Sequence, residues 1–217
     1  IPALGALIAE PVYVLTDTAI VGHLGTPELA GLAVATTVLL TLYTVFIFLA
    51  YGTTAAVSRL IGAGDEREAA HQAIQSLWLA LVVGLALVAI GLIGADALVG
   101  LMGAEGAVRT NALLYLRISL LGVPALLIVL AGTGYLRGLQ DTRTPLAVAV
   151  GTGALNLVLE VIFIYGLGRG LGASAFTTVV AQYVAAAIYL RQIGRAARAH
   201  GVDLGPHPAS LRRLGAV

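Results

Sequence analysis

The sequence predicts an all-α, polytopic membrane helix bundle with six transmembrane helices, and three observations lead there. Of its 217 residues, 59% are hydrophobic and 11% charged, with mean hydropathy +0.97, whereas soluble domains carry about 25% charged residues. The apolar residues gather into six runs, each near the roughly 20 residues needed to cross about 30 Å of hydrocarbon. These runs are about twice the length of a barrel strand and do not alternate, which argues against a transmembrane β-barrel.

The first span is expected over residues 3–24. It holds two carboxylates, Glu10 and Asp17, seven positions apart, so both fall on one helix face about 10 Å apart. Pro11 predicts a helix bend, while Pro2 at the entry is tolerated. The second span, 29–52 with an apolar continuation toward Leu60, carries Thr36, Thr37, Thr41 and Thr44. These threonines either line a cavity, Thr37 being the candidate, or satisfy carbonyls of their own helix. The third span, 69–94, follows the acidic run Asp65-Glu66-Arg67-Glu68, which suits a helix N-terminus.

The fourth span, 112–135, contains Arg117 and Pro124. An arginine five residues inside the membrane snorkels to the interface, and an internal proline bends the helix. The fifth, 146–167, places Asn156 and Glu160 one turn apart on one face. The sixth, 174–190, offers Gln182 and Tyr183, which suit interhelical hydrogen bonds or the wall of a cavity. Residues 1–192 are thus expected to form one transmembrane unit and 193–217 a basic linker. Because the chain starts at Ile1 and stops just after that basic stretch, both ends are expected to be cut.

All twelve basic residues are arginine. With alternating spans, nine fall on one side and two on the other, with Arg117 inside the fourth span. The positive-inside rule then makes the linker and the loops between even and odd spans cytoplasmic in a multi-pass protein of the cell's inner (plasma) membrane. A net charge of +1 gives no footing for nucleic acid. The absence of cysteine excludes disulfides, thiolate metal sites and cysteine nucleophiles. Neither His23, His71, His200 nor His207 has metal-ligand spacing with another histidine or an acid, so no metal site is expected. The Gly151-Thr152-Gly153 run lacks a preceding strand and a third glycine, and no Gly-x-Ser-Gly with a deep histidine exists. Enzyme chemistry therefore has no clear footing.

The deep acids do have one. A carboxylate at the bilayer centre costs roughly 2.5–3.5 kcal/mol on insertion scales, so such residues are functional by default. Asp17 lies 14 residues beyond Ala3, and Glu160 lies 14 beyond Leu146. Each is then about 21 Å from the same membrane edge. Two acids matched in depth are expected to share one polar cavity, with Asn156 as the partner of Glu160. Glu10, only about 10 Å deep by the same rise, is a weaker candidate for its wall. The structural alternative is a polar contact that only locks helix packing.

Several segments carry a resemblance. Glu10-Pro11, Asp17-Thr18-Ala19-Ile20-Val21-Gly22-His23-Leu24-Gly25 and Glu28-Leu29-Ala30-Gly31-Leu32 resemble the first helix and turn of multidrug and toxic compound extrusion (MATE) transporters, closest to the DinF-like branch. Gly62-Ala63-Gly64-Asp65, Leu136-Arg137-Gly138-Leu139-Gln140-Asp141-Thr142-Arg143-Thr144-Pro145, and Asn156-Leu157-Val158-Leu159-Glu160 through Gly172-Ala173-Ser174-Ala175 agree in order. The family fold has twelve helices in two pseudo-twofold lobes. The resemblance therefore implies the amino-terminal lobe plus the start of the interlobe linker, with the carboxy-terminal lobe absent from this chain. It implies that Asp17, Asn156 and Glu160 bind the coupling cation, H+ or Na+, with no cofactor. Many relatives have Asp at the Glu160 position, so Glu lengthens that arm by one methylene. The implied activity is cation-coupled antiport of small organic, often cationic compounds across the bilayer. Rival readings are a lipid-linked precursor flippase, for which a more arginine-lined cavity is expected, an intramembrane enzyme using Asp17 and Glu160 as an acid–base pair, and a non-transporting scaffold.

Overall fold

The computed structural model describes residues 14–206, so Glu10 and Pro11 lie outside the described residues. Every regular element among them is helical. Helix α1 covers residues 14–22 and ends at the turn around Gly25, whose φ of 147° is open to glycine. Helices α2 (Thr26–Phe46) and α3 (Phe48–Gly62) are separated by one residue and together form an apolar span of 37 residues. Helix α4 (Glu66–Leu101) follows a turn in which the Asp65 side chain accepts from Glu68 N at 2.9 Å. That cap makes the acidic run Glu66-Arg67-Glu68 helical, so the third span starts earlier and runs longer than its apolar core. At 36 residues it measures about 54 Å and projects beyond the hydrocarbon.

The fourth span is two helices, α5 (Gly106–Leu120) and α6 (Val123–Gly138), meeting at 51°. Pro124 sits in the first turn of α6, where its missing N–H costs nothing, so the expected bend becomes a full break. Helix α7 (Arg143–Val161) passes into a π-turn, Ile162–Gly166, directly after Glu160. Helix α8 (Leu171–Ala199) continues two turns past the predicted end of its span, because arginine and alanine propagate a helix into water. Five described spans plus α1 agree with the six expected.

Small residues set the packing. Thr54 and Ser58 on α3 face Gly134 and Gly138 on α6, with Thr54 Oγ1 donating to Gly134 O at 3.2 Å and Ser58 Oγ to Gly138 O at 3.4 Å. The matching order shows that α3 and α6 run in the same direction. A Cβ added to Gly134 would lie 2.5 Å from Ala50 O, so only glycine permits this approach. Tyr189 of α8 lies against Gly132 and accepts from Thr133 Oγ1 at 3.0 Å. Outside this core, Ile93 is 86% exposed and Ile90 67%, as befits side chains that face lipid.

Beyond α8 the chain turns back along α4. Trp78 Nε1 donates to Leu204 O at 2.8 Å, and the buried Gln75 donates to Gly205 O at 3.0 Å. His200 Nε2 lies 3.6 Å from Glu66.

Candidate functional site: an acid pair at one end of a long cavity

A cavity of about 840 Å³ runs inside the bundle, lined from α1, α2, α3, α6, α7 and α8. Its α7 wall extends from Thr142 to Glu160, about 27 Å of helix. Asp17, Asn156, Glu160 and Gln182 all line it. The two acids that helix rise puts at one depth in the sequence, Asp17 and Glu160, both reach this cavity from separate helices.

At one end, Asp17 comes from α1 and Glu160 from the last turn of α7, with Ser174 in the first turn of α8 beside them. Ser174 Oγ donates to Asp17 Oδ1 at 3.3 Å. Glu160 is 1% exposed and flanked by Asp17 and Ser174, and among the described residues neither of its oxygens meets a donor at hydrogen-bonding geometry. One turn back, Asn156 Nδ2 donates to Thr178 Oγ1 at 3.2 Å and approaches Thr177 Oγ1 at 3.4 Å, leaving Asn156 Oδ1 without a donor. Gln182 Oε1 is likewise buried and unmatched. Buried oxygens without donors are rare, because each forfeits hydration with nothing in return. Asp17 and Glu160, two carboxylates, thus meet at this end of the cavity, with the Asn156 amide one turn away on α7. Among the described residues no group of three or more His, Asp or Glu forms a metal cage.

The other end differs. Arg137, in the last turn of α6, and Thr142 line it. Between the two ends the wall is mainly apolar, with Leu126, Val129, Leu130, Leu146 and Leu157, interrupted by Tyr43, Tyr51, Tyr189, Gln182 and three threonines, Thr133, Thr152 and Thr178. The cavity thus has an acidic end, a mainly apolar body and a basic end.

Two candidate wall residues lie elsewhere. Thr37 is not among the lining residues and donates to Ala33 O at 2.9 Å, as Thr41 and Thr44 do to their own helix. Tyr183 is about half exposed and donates to Leu121 O at 2.9 Å, a carbonyl freed by the α5–α6 break. It supports the break rather than the cavity. Arg117 pairs with Asp96 of α4 at 2.5 Å, half exposed, with Arg109 at 3.4 Å on the other oxygen. The arginine that reaches the cavity is Arg137, which the sequence places in a loop. Thr178, Tyr43 and Tyr51 on the cavity wall, and Ser174 beside the acids, also escaped sequence reading: hydroxyl residues are common in membrane helices, and nothing in their spacing marks a site.

Comparisons with known proteins identify the family and the fold. The MatE family model matches residues 2–162. The chain is 35% identical over 202 residues to Protein DETOXIFICATION 44, chloroplastic, of Arabidopsis thaliana, covering 88% of this chain and 39% of that protein. It is 32% identical over 204 residues to DNA damage-inducible protein F of Escherichia coli K12, covering 94% of this chain and 44% of that one. A multidrug resistance MATE family transporter of the MOP superfamily, solved in an outward-facing conformation, superposes with TM-score 0.87 at 29% identity, over 98% of this chain and 48% of that chain. The chain thus spans about two fifths of these curated relatives and half of the solved transporter.

Proposed function

Since the chain belongs to the MatE family of transporters rather than to any enzyme class, we propose that it forms the amino-terminal lobe of a cation-coupled exporter of organic, often cationic compounds. The observation that carries this reading is the pairing of Asp17 and Glu160 from two helices at one end of a long cavity.

Two carboxylates in a low-dielectric pocket repel one another and lose hydration, and a bound cation offsets both costs. H+ or Na+ would supply that charge. Asp17 and Glu160 would hold it, Asn156 Oδ1 would add a neutral oxygen, and Ser174 orients Asp17. Loading changes the charge of the pocket and with it the relative stability of helix arrangements, which is what couples a cation gradient to transport. The π-turn after Glu160 and the break before α6 are places where such a rearrangement costs little backbone bonding. An organic cation fits the same cavity, its charge toward the acids and its body against the leucines. The competition of substrate and cation for one pair of acids makes exchange obligatory.

In this reading residues 1–192 are the lobe and 193–217 the start of a linker to a carboxy-terminal lobe. The linker and even-to-odd loops face the cytoplasm of an inner (plasma) membrane protein. The lining Arg137 supports a second reading, export or flipping of an anionic lipid-linked precursor. Uptake into proteoliposomes of the purified protein under imposed pH or sodium gradients tests both. Gradient-driven movement of an organic cation is expected. Movement of only anionic lipid-linked substrate favours the second reading, and gradient-independent or absent movement defeats the first.

A further inference from the structure

A second cavity, of about 520 Å³, lies between α7 and α8. Val148 and Thr152 line it and the long cavity alike, so these two residues form the partition between them. The groove is amphipathic along its length. Arg143 and Thr144 stand at one end, followed on α7 by Ala147, Gly151 and Leu155 at a spacing of four. Val184, Ile188 and Gln192 form the facing stripe of α8. Arg195 continues that stripe by helical spacing beyond Gln192.

Arg143 and Arg195 are exposed and make no ion pair among the described residues. The nearest acid in sequence, Asp141, is engaged by the amides of Arg143 and Thr144 and by the Thr144 hydroxyl. From Arg143 to Leu155 the α7 wall rises about 18 Å, close to the roughly 15 Å of one leaflet's hydrocarbon. Gly151 leaves the middle open, because an added Cβ there meets nothing within 4 Å.

We propose that this groove binds a phospholipid with an anionic headgroup, its phosphate between Arg143 and Arg195 and one acyl chain along the α7–α8 seam. Length, polarity and charge each fit this occupant: a basic mouth at the membrane boundary leads into an apolar slot one leaflet deep. The site is separate from the acid pair, and its occupation does not depend on what the cavity exports.

The test is native mass spectrometry of the purified protein in mild detergent, titrated with phosphatidylglycerol or phosphatidylcholine. Retention of phosphatidylglycerol above phosphatidylcholine is expected. Arg143→Gln and Arg195→Gln should each lower phosphatidylglycerol retention about five-fold. Gly151→Leu, whose Cβ meets nothing within 4 Å, should project into the slot and lower retention of that lipid by a similar factor. Gly94→Leu on α4, which also projects into open space, should leave retention unchanged. Equal retention of the two lipids, undiminished binding in Gly151→Leu, or an equal loss in Gly94→Leu overturns the proposal.

Discussion

Ser174 on α8 holds Asp17 on α1 through a 3.3 Å hydrogen bond across 157 positions of sequence. The bond ties two helices that no sequence motif links and turns the Asp17 carboxylate toward Glu160. An asparagine at position 17 retains the shape and an oxygen to accept from Ser174 but removes the charge. Asp17→Asn should therefore reduce gradient-driven export to background while the protein still inserts and folds. Efflux assays together with membrane fractionation measure both. Undiminished drug efflux in the variant would rule the coupling mechanism out.

The approach of α3 to α6 depends on Gly134. A leucine there would drive its Cβ to 2.5 Å from Ala50 O and 2.9 Å from Thr53 Cβ. Overpacking of this kind costs about 1–3 kcal/mol, and more where backbone must move. Gly134→Leu should lower the melting temperature in detergent by several degrees. Gly52→Leu, on the same α3 but facing open space, should leave it nearly unchanged.

Acid sensitivity at the α6–α7 turn follows from Asp141. Hydrogen bonds from the Thr144 hydroxyl and amide, with the Arg143 amide and charge, hold its carboxyl below the usual carboxylate range. A depressed value stabilises the fold wherever the unfolded carboxyl is ionised, above about pH 4. That contribution disappears as pH falls through the lower folded value. Asp141→Ala should cost about 1 kcal/mol near neutrality, as loss of a helix cap does. Its stability should also depend less on pH below about 4 than that of the wild type. Denaturation followed from pH 7 to pH 3 measures this, and parallel pH profiles would contradict it.

The chain contains one tryptophan, and its indole N–H is held by Leu204 O at 2.8 Å. Trp78 therefore reports the docking of residues 202–206 against α4. Val202 is 9% exposed in that segment, so Val202→Asp should undock it. Tryptophan emission is expected to move to longer wavelength, with faster amide exchange at Leu204 and Gly205. An unchanged spectrum would show that the two carbonyl contacts hold without the Val202 anchor.

Much of the fold was legible because the bilayer leaves few options. Runs near 20 apolar residues must be helices, since no water reaches their backbone. Their ends were less legible. Asp65 extends α4 into an acidic run, and the Arg/Ala pattern extends α8 to Ala199, because caps and propensity act locally while hydropathy averages over a window. Pro124 signalled a disturbance but not whether the helix bends or divides. Of the cavity residues, Asp17, Asn156 and Glu160 stood out because a carboxylate, or an amide beside one, is costly in hydrocarbon. Thr37 and Tyr183 suited either a cavity wall or a carbonyl partner, and only their placement showed one serving its own helix and the other a freed carbonyl.

By itself the sequence determined the membrane-embedded helical class, the number of spans and the presence of two deep acids at matched depth. These depend on composition and on the rise of a helix, which are properties of single segments. Tertiary structure decided that α1, α7 and α8 meet so that Ser174 reaches Asp17, and that Arg137 rather than Arg117 faces the cavity. It also decided that α7 and α8 leave an open slot below Arg143. Rotation of each helix about its axis settles such matters. That rotation is fixed by the close approach of small residues on neighbouring helices, which no single segment encodes.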